Sequence, residues 1–394
     1  MQASSLQLSI SPNVETPKTF STIRSHVAKM ASAITTKTVL FAGGGTGGHL
    51  FPGIAVASEL LSGDPVPRVV FVGSEKPLER EILSRAWFEH RALSSCSPSL
   101  HPARLWKSLT ANWRAYRQAK QLLADLKPQV VVGLGGFASV PPVLAAYRAK
   151  LPIVLLEQNA IPGKATRWLS RFANVVCLPG DEVACEFPKP IRTVVTGNPL
   201  RREIAALAAV DADEPAKPPM LLILGGSQGA TSLNTLVGQA IDFSKASLNG
   251  WRIVHQTGAS HCEEMQQVYR AMQMTAEVVP FIPDMAEMYR QATIVVSRAG
   301  ATTLAELACA GLPAILVPLP TSAHDHQLRN AEVFAKQNAA SIVMQSSDLL
   351  REQLVRLVED VELRIRMRSV MRSLARPTAA VDVANLVREY FRAS

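Results

Sequence analysis

Short apolar runs alternate with helical patterns along most of the chain. The first run, residues 38–42, leads into a glycine turn at 43–48 and then into a helical pattern at 51–61. Pro52 lies in the first turn of that helix, where the missing N–H of proline does no harm. Continuous apolar runs are typical of buried parallel strands. Further strands in this half of the chain are predicted at 69–72, 130–134, 153–156, 174–178 and 193–196.

The same pattern restarts after an acidic, proline-rich segment at residues 211–219. A strand at 220–224 leads into a second glycine turn at 225–229 and a helix from about Ala230. The segment 211–219 holds almost no large apolar residue, which is typical of a linker between domains. Later strands are predicted at 253–256, 278–279, 294–297 and 314–317.

Repeated strand and helix units predict an α/β protein with two Rossmann-like, doubly wound parallel sheets. Ligands bind such sheets beyond the carboxyl ends of the strands, so the two sheets are expected to face one cleft. A chain of 394 residues suits two domains. The predicted boundaries are a leader at 1–36, a first domain at 37–210, a linker at 211–219 and a second domain at 220–377, with a C-terminal helix at about 378–394 packed back on the first domain.

Composition narrows the class of protein. Hydrophobic residues make up 47% and charged residues 19%, as in globular domains, and the net charge of +9 favours an acidic partner. The aromatic residues form no RNP-like, zinc-finger or helix-turn-helix pattern, so no nucleic-acid partner is predicted. No apolar run approaches the roughly 20 residues of a membrane span, so any membrane contact is peripheral. Buried free thiols in a reducing compartment are predicted for Cys96, Cys177, Cys185, Cys262 and Cys309.

Residues 1–36 differ in composition from the rest of the chain. They are rich in Ser and Thr, carry Lys18, Arg24 and Lys29, and contain Glu15 as their one acid. This composition resembles an organellar transit peptide, and a plastid is the simplest destination. A disordered leader and a start of translation at Met30 are the alternatives. Without a transit peptide, the expected location is the cytoplasmic face of a bacterial membrane.

Both glycine turns lie between a strand and a helix, where backbone N–H groups and the helix dipole favour an anion. The first turn has no Gly-Lys-Ser/Thr of a P-loop, and its spacing departs from the dinucleotide fingerprint. Tight strand-to-helix turns also need glycine without any ligand, so one turn alone is weak evidence. Two turns fit a reaction in which both substrates carry a diphosphate.

Seven motifs give the chain a specific resemblance. They are GGGTGGHLFPGIAVA (43–57), EQN (157–159), GNPLR (197–201), GGSQGA (225–230), FIPDM (281–285), SRAGATTLAE (297–306) and HDHQLRNA (324–331). In this order and spacing, from about Lys37 to near the C-terminus, they resemble the MurG family. That family comprises the peptidoglycan N-acetylglucosaminyltransferases that convert lipid I to lipid II on the inner face of the bacterial membrane.

The resemblance implies a GT-B fold that works without a catalytic metal or a cofactor. It places the donor, UDP-N-acetylglucosamine, mainly on the C-terminal domain and the acceptor, lipid I, on the N-terminal domain. The residues implied for the acceptor are Gly44, Gly45, Thr46, His49, Gly135 and Gly136. Those implied for the donor are Thr46, Gly47, Gly48, Asn159, Arg201, Ser227, Gln228, Gly229, Ile282, Arg298, Thr303, Glu306, His326 and Gln327.

The resemblance also assigns roles on the nucleotide side. Ser227 and the backbone after it would meet the donor diphosphate, and the backbone around Ile282 would bind the uracil edge. Glu306 would bind the ribose hydroxyls, which suits a carboxylate that accepts two hydrogen bonds. Thr303 and Glu306 also have the spacing of a helix capping box, which is the structural alternative.

The transfer needs a base that takes the proton of the acceptor's 4-hydroxyl. The hydroxyl oxygen attacks the anomeric carbon as UDP departs, and the configuration at that carbon inverts. Histidine is the side chain whose ordinary pKa lies near neutrality, and His49 follows the first glycine turn, so it is the predicted base. Ordering the turn or binding the acceptor phosphate are its alternatives. The resemblance places Asn159 at the sugar and acceptor, with Glu157 ordering that loop. It places Gln327 at the sugar hydroxyls, with an amide that orders a loop as the alternative.

One stretch departs from the family pattern. Many members carry a tyrosine and a glycine-containing loop after the Gly-Gly pair that this chain has at Gly135 and Gly136. Here the sequence at 137–141 is Phe-Ala-Ser-Val-Pro, so the hydrogen bond of that hydroxyl is lost. Acceptor recognition at this position is therefore in question.

Residues 104–120 combine five basic side chains with Trp106 and Trp113, which lie on about one helical face. Such a face favours anionic lipid headgroups. A solvated helix whose tryptophans belong to the core is the alternative. The lipid tail of the implied acceptor favours the membrane.

Three other functions stay open. Plastid galactolipid synthases are similar GT-B proteins that use UDP-galactose and diacylglycerol, but the GGSQGA and EQN motifs favour the first interpretation. A catalytically silent scaffold is disfavoured by the intact His49, Glu306 and Gln327. An NAD-linked oxidoreductase would need a fingerprint with an acidic residue about 20 positions further on, and the chain lacks it.

Overall fold

The computed structural model describes residues 37–95, 102–210, 218–225, 231–320 and 325–392. The leader, Cys96 and most of the predicted linker lie outside these ranges. The described chain forms two α/β domains, and all the strand pairs in both sheets are parallel. The predicted fold class is therefore confirmed.

The first sheet has seven strands. They are β1 (Thr38–Gly43), β2 (Arg68–Ser74), β3 (Glu89–Leu93), β4 (Val130–Gly135), β5 (Ile153–Leu156), β6 (Val175–Leu178) and β7 (Thr193–Val195). The helices of this part of the chain are α1 (Gly47–Leu61), α2 (Pro77–Arg85), α3 (Pro102–Leu126), α4 (Val140–Arg148), α5 (Lys164–Leu169) and α6 (Arg202–Ala205). The order β3-β2-β1-β4-β5-β6-β7 changes direction at β1, which puts the first glycine turn where a doubly wound sheet binds its ligand.

The second sheet has six strands. They are β8 (Met220–Leu224), β9 (Arg252–Gln256), β10 (Glu277–Val279), β11 (Ile294–Ser297), β12 (Ala314–Leu316) and β13 (Ala340–Ile342). The helices are α7 (Thr231–Phe243), α8 (Cys262–Ala271), α9 (Met285–Gln291), α10 (Ala301–Ala310), α11 (His326–Lys336), α12 (Ser347–Glu359), α13 (Val361–Ser373) and α14 (Ala379–Arg392). The order β10-β9-β8-β11-β12-β13 changes direction at β8, before the second glycine turn.

Three local features differ from the sequence prediction. Strand β3 carries charged and exposed residues at the edge of its sheet, and β13 is too short to form an apolar run, so the apolar pattern missed both. Helix α1 begins at Gly47, four residues before the predicted start, because the glycines of the turn already adopt helical geometry. Among the described cysteines, Cys177 and Cys309 are buried free thiols, whereas Cys185 is exposed, so the prediction of burial is wrong for Cys185.

The chain crosses between the domains at both ends of the second one. Leu200, Ile204 and Leu207 pack in the core of the second domain, ahead of the predicted linker. Conversely, Val383 and Phe391 of α14 pack in the core of the first domain. The chain therefore passes between the domains twice, and the region where these two crossings lie is called the hinge. None of the described helices is both long enough and apolar enough to span a membrane.

A buried histidine in the second domain gives the fold a pH dependence. His255 on β9 is fully buried, and its ring nitrogens lie 3.1 Å from the Tyr269 hydroxyl and 3.2 Å from Asn234 Oδ1. Burial lowers the pKa of His255 to about 3. Between about pH 6.5 and that value, the unfolded chain binds a proton that the folded protein does not, so stability falls as the pH falls.

We expect this group to contribute a slope of about 1.4 kcal/mol per pH unit to the free energy of unfolding between about pH 6 and pH 4. Urea unfolding of the wild type and of His255→Phe at several pH values measures it. The variant should lose that part of the slope, whatever its stability at pH 7. Equal slopes in the two proteins would contradict the prediction.

Candidate functional site

The segments that follow the strands of the two sheets meet in one cleft. At the first glycine turn, the Thr302 hydroxyl at the start of α10 donates to the carbonyl of Gly48, at 3.4 Å. After β5, the amide of Ala160 donates to Asn330 Oδ1 in α11, at 2.8 Å. The carboxyl ends of both sheets therefore lie next to each other, as the sequence predicted.

A buried carboxylate supports the first glycine turn. Glu79, in α2, is fully buried and accepts hydrogen bonds from the amides of Gly45, at 2.6 Å, and Ser74, at 2.8 Å, and from the Ser74 hydroxyl. The Gly45 amide is therefore directed inward, and it does not face the cleft as a donor for an acceptor phosphate. The amides that a helix leaves unpaired at its start belong here to Gly47 and Gly48. Nothing in the local sequence distinguishes Glu79 from a surface acid, so its role is not predictable from the sequence.

His49 lies in the first turn of α1, half-buried in the cleft. Its Nδ1 is 3.1 Å from Oε1 of Gln158, a buried residue whose Nε2 donates to the carbonyl of Leu134. Since the amide nitrogen of Gln158 is engaged, its oxygen faces the imidazole and accepts the Nδ1 proton. Nε2 of His49 then keeps its lone pair, as a general base requires. Gln158 is the middle residue of the EQN motif, but its contact with His49 is not predictable from the sequence.

Gly135 and Gly136 let the end of β4 approach this imidazole. Their φ angles are 90° and 71°, a region that favours glycine. A Cβ atom at Gly135 would lie only 3.3 Å from the His49 ring. The glycine pair and His49 are thus brought together, while Phe137, which follows them, has an exposed side chain.

The Glu157 carboxylate orders the loop after β5. Oε1 accepts from the amides of Gln158 and Asn159, both at 3.0 Å, and Oε2 accepts from the amide of Gly163 at 3.0 Å. The predicted ordering role of Glu157 is therefore confirmed. The side chain of Asn159 accepts from Asn330 Nδ2 at 3.2 Å, so it bridges the two domains in this structure.

Glu306 occupies a largely buried position on α10. The Tyr289 hydroxyl donates to its Oε2 at 2.9 Å, and the Arg201 guanidinium lies 3.9 Å from Oε1. Burial raises the pKa of Glu306 above its ordinary value, and Arg201 and Tyr289 oppose that shift. Arg201 also lies over the ring of Phe51, 5.8 Å from its centroid, and so links Glu306 to α1. Helix α10 begins at Ala301 with Gly300 as its N-cap, so Thr303 lies inside the helix and the capping-box alternative is wrong.

Arg298 braces the start of α7, the helix that follows the second glycine turn. Its Nη1 donates to the carbonyl of Val317 at 3.0 Å, and its Nη2 donates to the Ser232 hydroxyl at 2.5 Å. Next to Ser232, the Thr231 hydroxyl lies 2.7 Å from Nε2 of His261. The turn residues Ser227, Gln228 and Gly229 themselves lie outside the described residues.

The other residues predicted for the donor follow β10 and β12 in the chain. Gln327, in the first turn of α11 beside His326, accepts a hydrogen bond from the amide of Leu319 at 3.0 Å, so its carbonyl oxygen orders the loop after β12. The side chain of Ile282 packs in the core. Within the described residues, no group of three or more His, Cys, Asp or Glu side chains is arranged to hold a metal ion.

The tryptophans of the basic segment are exposed. Trp106 and Trp113 on α3 have relative exposures of 75% and 61%, and Leu109 between them is exposed as well. The alternative that these tryptophans belong to the core is therefore wrong. Arg114, Arg117 and Lys120 follow on the same helix.

Both halves of the chain match one family of transferases. Residues 39–178 match the glycosyltransferase family 28 N-terminal domain, and residues 220–385 match the glycosyltransferase family 28 C-terminal domain. A protein from Trichlorobacter lovleyi is 40% identical over 346 residues, which cover 82% of this chain and 90% of that protein. One from Geobacter sulfurreducens is 38% identical, with coverages of 88% and 97%. Both are named UDP-N-acetylglucosamine--N-acetylmuramyl-(pentapeptide) pyrophosphoryl-undecaprenol N-acetylglucosamine transferase.

Solved structures show the same architecture. The crystal structure of Acinetobacter baumannii MurG is 31% identical, with a TM-score of 0.72 and coverages of 90% of this chain and 99% of that one. The Staphylococcus aureus MnaA structure with UDP has a TM-score of 0.65 at 13% identity, which shows the shared fold alone.

Proposed function

The chain belongs to the MurG family of glycosyltransferases, and from that membership we propose that it transfers N-acetylglucosamine from UDP-N-acetylglucosamine to lipid I and forms lipid II. The observation that carries the proposal within the cleft is the His49 imidazole, which Gln158 holds through Nδ1 beside the first glycine turn. The nucleotide would bind on the second domain and the acceptor on the first, as in a GT-B enzyme.

In the proposed reaction, Nε2 of His49 takes the proton of the acceptor's 4-hydroxyl as that oxygen attacks the anomeric carbon. The bond between the anomeric carbon and the UDP oxygen breaks, its electron pair leaves with UDP, and the configuration inverts. A positioned base of this kind is typically worth roughly 10² to 10⁴ in rate. The resemblance assigned Gly47 and Gly48 to the donor, but their amides at the start of α1 lie in the first domain beside His49, so we assign them to the acceptor diphosphate, with Thr46 beside them.

On the donor side, Glu306 would accept hydrogen bonds from the ribose hydroxyls, and the backbone around Ile282 would bind the uracil edge. Arg201 would lie beside the nucleotide. The developing charge on UDP would meet the start of α7 with Ser227 before it, braced by Arg298 through Ser232. These groups would stabilise the leaving group without a divalent cation.

We also propose that α3 binds an anionic membrane surface. Trp106, Leu109 and Trp113 are exposed, and basic side chains follow them on the same helix. Aromatic and basic side chains are favourable at lipid headgroups. The lipid-linked acceptor would then reach the cleft from that surface.

Replacing both Trp106 and Trp113 by Ser is expected to lower the affinity for vesicles of mixed neutral and anionic lipids at least tenfold, because the helix loses its two large apolar side chains. Vesicle sedimentation measures the effect. Phe243→Ser is the matched control, since Phe243 is an equally exposed aromatic residue in the other domain. Equal losses in the control and the double variant would contradict the assignment to α3.

The proposed location in a plastid depends on residues 1–36, which are rich in Ser and Thr and poor in acids. Import of the full chain into isolated plastids, with shortening of the chain by about the length of that segment, is the expected result. A chain that keeps its full length and is not imported would refute the transit-peptide proposal. The proposed enzymatic activity would be unaffected.

A transfer assay tests the substrates. Protein from Met30 onward would be given UDP-N-acetylglucosamine or UDP-galactose, together with a lipid I analogue or diacylglycerol, in EDTA. We expect transfer with UDP-N-acetylglucosamine and the lipid I analogue alone. Turnover of UDP-galactose with diacylglycerol would favour the galactolipid alternative, and no turnover with any pair would favour the scaffold.

A further inference from the structure

A cavity lies between the domains at the hinge, beside the Gln158 loop. One wall comes from the first domain, with Gln158 and Asn198, and the other from α10 and α11, with Leu304 and Phe334. Its volume is about 180 Å³. A single water needs on the order of 10 to 15 Å³ of such space, so the cavity has room for a fragment of a ligand.

The side-chain amide of Asn198 is an unusual part of that wall. Asn198 is only 4% exposed, and neither its Oδ1 nor its Nδ2 has a hydrogen-bond partner among the described residues. Leaving a buried polar group unpaired costs roughly 1 to 3 kcal/mol. A buried amide that the protein does not satisfy calls for an explanation, and a ligand in the adjoining cavity would supply one.

The chemistry of the wall indicates the class of that ligand. A primary amide offers a carbonyl acceptor next to an N–H donor, which is complementary to the backbone N–H and C=O of one extended residue in a peptide. Leu304 and Phe334 add an apolar surface, and the exposed Arg376, Asp181 and Glu182 give the cavity's lining both signs of charge. Such a lining suits a short peptide that carries charged groups.

The cavity begins close to the proposed reaction centre, because Gln158 both lines it and contacts His49. An N-acetylmuramyl acceptor carries its peptide through the lactyl ether on O3, one carbon away from the 4-hydroxyl that would be attacked. The peptide must therefore leave the sugar within a few bonds of His49.

We propose that the hinge cavity is the binding site for the peptide of the acceptor, with the Asn198 amide paired to the backbone N–H and C=O of one peptide residue. This inference rests on the proposed function, since it takes lipid I as the acceptor. Peptide binding would also fill the space between the two domains at the hinge. An acceptor that carries the peptide would therefore stabilise one arrangement of the domains.

Kinetics with two acceptors test the proposal. One lipid I analogue carries the pentapeptide and the other ends at the lactyl group. We expect the KM for the pentapeptide acceptor to rise at least tenfold in Asn198→Leu, which removes both hydrogen-bonding groups, and in the isosteric Asn198→Asp, which replaces the N–H donor by a second acceptor. The KM values for the peptide-free acceptor and for UDP-N-acetylglucosamine should stay the same. The melting temperature of Asn198→Leu should not fall, because the amide it removes is unpaired.

A binding measurement separates this inference from the proposed function. Calorimetry with soluble N-acetylmuramyl pentapeptide is expected to show binding to the wild type that is lost in both variants. Binding of this kind without any sugar transfer would refute the function and leave the peptide site standing. Transfer by the wild type, with unchanged pentapeptide KM in both Asn198 variants, would refute the peptide site alone. Equal increases of KM for both acceptors would also refute it.

Discussion

His49→Ala is expected to lower kcat for sugar transfer by roughly 10² to 10⁴ with little change in either KM, because it removes the group that accepts the hydroxyl proton. Nδ1 is held by Gln158, so the imidazole presents Nε2 to the acceptor in one orientation. The acid limb of the kcat profile against pH should disappear in the variant. Steady-state kinetics with both substrates varied give the result.

Gln158→Leu provides the matched comparison. It removes the hydrogen bond that orients the ring and keeps the imidazole, so a fall in kcat of about tenfold and a retained acid limb are expected. If His49 orders the glycine turn or binds the acceptor phosphate instead, His49→Ala would raise the KM for the acceptor and change kcat much less.

Glu306→Ala is expected to weaken donor binding at least 100-fold, since it removes an acceptor for two charge-assisted hydrogen bonds worth roughly 1.5 to 3 kcal/mol each. The KM for UDP-N-acetylglucosamine should rise accordingly, while the KM for the acceptor stays the same. The wild type should bind a donor with 2′-deoxyribose more weakly than the normal donor. Glu306→Ala should bind the two donors with nearly equal affinity.

Glu203→Gln is the control for this experiment. Glu203 also pairs with Arg201, at 3.6 Å, but it is exposed and has no proposed contact with the nucleotide. Its replacement should leave the donor KM unchanged. If Glu306→Ala and Glu203→Gln raise the donor KM equally, Glu306 acts through Arg201 and the ribose assignment is wrong.

The local pattern of apolar and polar residues predicts most of the fold. Runs of buried apolar residues between glycine turns, such as 38–43 and 220–224, fix the position and direction of the central strands because both faces of each sheet are covered. The same rule failed at β3, whose exposed edge accepts charged residues, and at β13, which has only three residues. Glycine turns after β1 and β8 then place the cleft.

The residues that support the site could not be predicted from the local sequence pattern. Glu79 is close to Gly45 in space but 34 positions away in sequence, and Gln158 is 109 positions from His49. Whether a side chain such as Asn198 finds a partner likewise depends on packing between distant segments. The exposure of Trp106 and Trp113 was ambiguous for the same reason, because a helix periodicity does not reveal which face meets the core.

The configuration of the product tests the account most directly. Transfer from UDP-N-acetylglucosamine, whose sugar is α-linked, to a lipid I analogue in EDTA, followed by NMR of the new linkage, reports the course of the reaction. A single direct displacement driven by His49 predicts a β-linkage to the 4-hydroxyl, formed at full rate in the chelator and lost in His49→Ala. An α-linked product, or a product that forms only when a divalent cation is restored, would contradict it.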